Sequence, residues 1–255
     1  MEKVSQYIGR AFKLPSLENV EIANQLTFSL GGINLTFNIT TIIMTWIVIG
    51  ILLLLAYLGA RRLEKFPGRA QAFTEWVVET FDNLVKETLG EKIGRKFLPL
   101  IATLFFFVCL SNWLGSVPTL KSPTSDLNTT LGLAIMVFLV AQTGGILKKG
   151  PFKYFIDFFG PVWWLAPLMF PLNIIGEVAK VISHSFRLFG NILGGGLVIL
   201  VISELLLRFL PTGLNAVFGV VGGIALNAFF GIFVGAIQAL VFSFLALAYI
   251  NVARD

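Results

Sequence analysis

The stretch PLNIIGEVAKVISHSFRLFGN, residues 171–191, decides how this chain is read. Its polar members Asn173, Glu177, Lys180, His184, Arg187 and Asn191 are spaced four, three, four, three and four residues apart. A helix advances about 100° per residue, so all six fall within an arc of about 80°. The other faces carry Ile, Val, Leu and Phe. One polar ridge therefore runs along an otherwise apolar helix. A charged group near a bilayer centre costs about 2.5–3.5 kcal/mol or more, so the ridge must face protein or water rather than acyl chains.

Arg187 sits deepest in apolar sequence, because residues 188–203 carry no charge. A guanidinium stays cationic even when desolvated, whereas a lysine there could lose its proton. Arg187 has no acid three or four residues away on either side, and the nearest acid on the ridge is Glu177, nearly three turns off. An unpaired intramembrane arginine implies a carboxylate on another chain. Glu177 and Lys180 also read as a plain intrahelical pair, His184 as a packing residue, and Glu204 with Arg208 as a pair at a helix end.

The composition agrees with a membrane setting. Of 255 residues, 56% are hydrophobic and 13% charged, against about 25% charged in a soluble domain. Mean hydropathy is +0.85. Soluble enzymes and nucleic-acid partners are set aside on this ground. The net charge of +5 suits the basic loops that orient membrane proteins. One cysteine, Cys109, and one histidine, His184, provide neither a disulfide nor a bis-histidine haem site, and no cofactor is expected. The first 26 residues hold six charges and no apolar run, so no signal peptide is expected there.

The whole chain, 1–255, reads as a single all-α integral membrane domain of about five to six helices. Residues 1–38 form an N-terminal segment and 39–60 the first span, ending at Arg61 and Arg62. Residues 66–96 alternate Phe73, Val77, Phe81, Leu84, Val85 and Leu89 with Glu75, Glu79, Asp82, Lys86 and Glu87. This predicts an amphipathic interfacial helix and a loop, or else a packed extramembrane helix. Residues 97–147 form a helical hairpin with a polar turn at Pro118, Pro123, Asp126 and Asn128. Residues 152–172 form a bent interfacial segment, interrupted by Pro161, Pro167 and Pro171. Residues 173–253 form two long helices separated at Pro211-Thr212-Gly213. At roughly 55 Å each they exceed a hydrocarbon core of about 30 Å, so they tilt steeply or break. Gly222-Gly223 is the expected breaking point of the last. On that helix Asn227, Gly231, Gly235 and Gln238 lie on or near one face, where Gln238 either lines water or bonds across helices.

Residues 61–96 carry eight Lys and Arg, the 118–126 loop one and the 148–153 loop three. The basic loop is expected in the cytoplasm, which puts residues 1–38 outside and the C-terminus inside.

The run Ser185-Phe186-Arg187-Leu188-Phe189-Gly190-Asn191 resembles the signature of subunit a of the F-type ATP synthase membrane sector. Pro171 to Glu177 and Gly235 to Phe242 fit the same family, and the likeness, bacterial or plastid in type, covers most of the chain. The resemblance implies that the last two helices lie tilted against a ring of c subunits. It implies b-type peripheral stalk subunits as further partners, and a bacterial plasma membrane or a thylakoid membrane as location. It implies that Arg187 is the essential arginine, separating two aqueous half-channels and attracting the deprotonated ring carboxylate. It makes Asn191 and Gln238 polar flanks of that arginine and Glu177 an acidic position on the ion path. Gly196 and Gly231 stand where many relatives carry titratable groups. A proton path would then rely on water with Glu177, His184 or Glu204, beside Asn173 and Lys180 on the ridge, and a hydrated path would also suit sodium.

The expected function is an ion-translocating stator with no covalent chemistry of its own and no P-loop. A stand-alone secondary transporter is the alternative. It predicts internal repeats, and none is evident.

Overall fold

The computed structural model describes residues 25–30, 33–60, 68–117, 120–160, 163–209 and 214–254. Arg61 and Arg62, Pro118, Pro161, the Pro211–Gly213 break and most of the leading segment lie outside the described residues. The fold is all-α in the membrane. Its helices are α1 (Ile39–Ala60), α2 (Arg69–Leu89), α3 (Glu91–Leu114), α4 (Leu127–Lys149), the short α5 (Pro151–Asp157), α6 (Ala166–Phe209), α7 (Leu214–Asn227) and α8 (Gly235–Arg254). Among the described residues, five helical stretches are long and apolar enough to cross a membrane: Ile39–Gly59 of α1, all of α3 and α4, Ala166–Ile202 of α6, and Val221–Arg254 across α7 and α8. Ahead of α1 stands an antiparallel hairpin, β1 (Gln25–Leu30) with β2 (Ile33–Asn38), paired from Gln25↔Asn38 to Leu30↔Ile33. Asn38 then caps α1, its Oδ1 accepting from the Thr40 N–H at 3.1 Å.

The core lies where α3, α4 and α8 meet. Ile101, Leu104 and Val108 of α3 pack with Val137 and Ala141 of α4 and with Ala239, Phe242, Ala246 and Ile250 of α8. Alanines on α4 and α8 let the backbones approach closely, as packing without a hydrophobic drive between helices requires. The amphipathic helix α2 inserts Phe81 and Val85 into this core and leaves Phe73 and Trp76 exposed. It turns into α3 at Gly90, as α4 turns into α5 at Gly150. Both glycines have φ +82°, a region that disfavours other residues. The span α3 thus begins at Glu91, six residues before its apolar run. By contrast α1 buries only Val48 among its large apolar side chains.

Two expectations about helix breaks change. The helix α6 starts at Ala166, ahead of Pro167 and Pro171, rather than after Pro171. Pro167 occupies the first turn, where the N–H has no intrahelical partner, and the N–H missing at Pro171 would have met only the Pro167 carbonyl. At 44 residues, α6 is about 66 Å long and crosses a core of about 30 Å only if it tilts or projects. In the last helix Gly222 and Gly223 stay helical, and the irregularity falls at Ala228–Val234, which is π-helical. The wider turn fits the partners that α3 offers. Trp113 donates to the Ile232 carbonyl at 3.1 Å, and Asn112 donates to the Gly235 carbonyl at 2.9 Å. A Cβ at Gly231 would overlap the Ser116 side chain. Neighbouring side chains thus take up carbonyls at the distorted turns, the usual compensation for such a bulge.

Candidate ion path

The polar ridge of α6 divides into two halves. In the first half Asn173 donates to the Phe158 carbonyl at 2.8 Å. Lys180 donates to Glu177 Oε1 at 2.5 Å, the intrahelical pair read from the spacing. The other oxygen, Oε2, accepts from Gln142 of α4 at 2.9 Å. Tyr154 of α5 in turn donates to Gln142 Oε1. Burial first, then the Glu177 and Asp157 carboxylates, push the Tyr154 phenol above its ordinary range, so it remains a donor. Lys149 and Asp157 form a second ion pair at 2.9 Å. These groups, with His184 and Tyr249, line a cavity of about 310 Å³, called here the inner cavity.

At its deep end His184 is 2% exposed, with its ring 3.9 Å from that of Phe242 and 5.5 Å from that of Tyr249. Neither imidazole nitrogen has a hydrogen-bond partner among the described residues. Beside it Ser185 bonds Thr130 at 3.1 Å, and Leu188 is fully buried.

The second half of α6 lines a larger cavity of about 830 Å³, the outer cavity. Here Asn191 donates to Gln238 Oε1 of α8 at 2.5 Å, while Gln238 Nε2 has no partner among the described residues. Asn112, buried on α3, accepts from Thr124 at 2.7 Å. Asn227 donates to the Ser116 carbonyl at 3.2 Å. Asp126 caps α4, accepting from the Asn128 N–H at 2.9 Å and from Thr41 at 3.2 Å. Gly196 and Gly231 also line this space, and a Cβ at Gly196 would meet nothing within 4 Å. Among the described lining residues only Asp126 and the exposed Lys121 carry charge.

Arg187 belongs to neither lining set. It lies on α6 between them, with its side chain exposed on the outer flank, and no carboxylate lies within 4 Å of it among the described residues. Helical spacing places Ser183, Gly190 and Gly194 on the same flank. A Cβ at Gly190 or Gly194 would meet nothing within 4 Å. Phe186, Leu193 and Leu197 stand exposed around them.

The structure thus brings Asn173, Glu177, Lys180 and His184 together on one cavity and Asn191 with Gln238 on the other. Glu204 lines neither; it is exposed near the end of α6, and the side chain of Arg208 lies outside the described set. Gln142 and Asn112 escaped the sequence reading. Each is an amide inside an apolar span, a signal that was present. Tyr154 gave none, because a tyrosine near an interface is ordinary.

A family model described as ATP synthase A chain matches residues 42–251. The ATP synthase subunit a of Trichlorobacter lovleyi is 40% identical over 210 residues, covering 82% of this chain and 85% of the relative. That of Geobacter sulfurreducens is 41% identical over 207 residues, covering 81% and 84%. That of Helicobacter hepaticus is 38% identical over 207 residues, covering 81% and 86%. The chain belongs to the ATP synthase subunit a family.

Proposed function

We propose that the inner and outer cavities are two half-channels for protons and that Arg187 separates them while facing the carboxylates of a rotating c-subunit ring. The family makes the chain an integral subunit of the ATP synthase membrane sector, not a catalyst by itself. The observation that carries the proposal is the placement of Arg187. It lies between two polar cavities, lines neither, and has no carboxylate of the described residues beside it. The open flank at Ser183, Gly190 and Gly194 gives a partner helix room to approach the guanidinium.

In this reading an ion enters the outer cavity, passes Asn191 and Gln238, and neutralises a ring carboxylate. The neutral site can then turn through lipid, which a charged carboxylate could do only at great cost. After nearly a full turn the ion leaves through the inner cavity, past His184, Lys180, Glu177 and Asn173. Arg187 holds the emptied, anionic site during passage and blocks a direct leak. One charge crossing 100 mV releases about 2.3 kcal/mol, so several ions are used per ATP. The poorly buried α1 and the exposed Phe73 and Trp76 of α2 would contact lipid and b-type stalk subunits. With the basic loops inside, the inner cavity opens to the cytoplasm of a bacterial cell, the N-terminal hairpin lies outside, and the C-terminus is cytoplasmic.

The test is Arg187→Ala in the whole complex. It is expected to abolish ATP synthesis while the complex still assembles; retained synthesis would overturn the assignment. Sodium is a second reading of the coupling ion, favoured by an outer cavity lined mostly by amides, hydroxyls and apolar groups. Liposomes carrying the complex and driven by a pH gradient should make ATP without sodium. Synthesis that requires a sodium gradient would reverse that choice. The stand-alone transporter draws no support from relatives named as a subunit of ATP synthase.

A further inference from the structure

We propose that Tyr154 is a positioning residue for Glu177: it holds the Gln142 amide in the one orientation that keeps a donor on the carboxylate. The inference rests on the reading of Glu177 as part of the ion path.

A glutamine amide carries an acceptor at one end and a donor at the other in nearly the same shape, while an ionised carboxylate only accepts. Tyr154 donates to Gln142 Oε1, which commits the Gln142 Nε2 donor to Glu177 Oε2 at 2.9 Å. Lys180 holds the remaining oxygen at 2.5 Å. Both carboxylate oxygens thus have a donor. Burial and the Glu177 and Asp157 charges keep the phenol protonated, so its donor stays available to the Gln142 oxygen. Its approach depends on Gly145, where a Cβ would stand 2.7 Å from the Tyr154 ring. The other titratable groups facing this cavity are the paired Lys149 and Asp157, His184 of α6 and Tyr249 of α8. Without the hydroxyl, Gln142 Oε1 loses the donor from Tyr154, and the amide that meets Glu177 loses one of its two anchors.

The experiment is ATP-driven pumping in inverted vesicles carrying the whole complex. Tyr154→Phe keeps the ring and removes the hydroxyl. It should slow pumping about fivefold, the scale of one lost hydrogen bond. Gln142→Leu probes the same link without touching Tyr154 and should slow it to a similar degree. Combining Tyr154→Phe with Glu177→Gln should reproduce the rate of Glu177→Gln alone, which a merely structural role for Tyr154 would not do. Additive losses in that double variant, or undiminished pumping in both Tyr154→Phe and Gln142→Leu, overturn the positioning role. Unimpaired pumping in Glu177→Gln overturns the reading beneath it.

Discussion

The inner and outer cavities flank the same helix, yet they are built from different chemistry. The inner one is small and holds its charges in pairs, Glu177 with Lys180 and Lys149 with Asp157. The outer one is more than twice as large and lined mostly by Asn112, Asn191, Asn227, Gln238 and apolar groups, with glycine at 196 and 231. Paired charges hold a fixed local field, while amide dipoles in a roomy cavity leave more of the solvation to water. One ridge of evenly spaced polar residues can thus serve two environments. What lies across from it, on α4 and α5 or on α3 and α8, decides which.

The contrast can be broken from either end. Glu177→Gln removes the charge that Lys180 and Gln142 both hold, and pumping should fall about tenfold. Wild-type rates would make the inner pairs mere packing. Gln238→Leu breaks the Asn191 bond but touches no charge, so a smaller loss of about fivefold is expected in the same assay. A loss exceeding that of Glu177→Gln would reverse the ranking of the cavities. Gly231→Ala forces a methyl into Ser116 and should lower the stability of the detergent-solubilised complex by about 1–3 kcal/mol in thermal unfolding. Gly196→Ala, with open space for its Cβ, should leave that stability unchanged. Equal losses in the two would remove the close packing assigned to the π-helical turn. Glu204→Gln, away from both cavities, should change pumping less than twofold, and a larger effect would extend the ion path beyond them.

Much of this was legible in the sequence. The spans follow from apolar length, and the ridge from its period along one helix. The pairing of Glu177 with Lys180 is local and readable from a spacing of three. The π-helical turn is different. Its carbonyls are met by Trp113 and Asn112, more than a hundred residues away in sequence, so Gly222-Gly223 looked the better place for a break. The strand sequences alternate apolar and polar residues, and Leu26, Phe28 and Leu30 pair in backbone register with Phe37, Leu35 and Ile33. That period of two, around Gly31-Gly32, was a readable hairpin signal next to the stronger pattern of the first span. The link from Tyr154 through Gln142 to Glu177 joins three helices, and no single-helix period could reveal it.

If Arg187 separates the two cavities, each is reached from its own side of the membrane, and sided labelling reads this. The chain has one cysteine, Cys109, buried in the core, so a Cys109→Ala background allows single cysteines to be read one at a time. With a membrane-impermeant thiol reagent, Asn173→Cys should react only from the cytoplasmic side and Gly196→Cys only from the opposite side. Labelling of both positions from one and the same side would contradict the account.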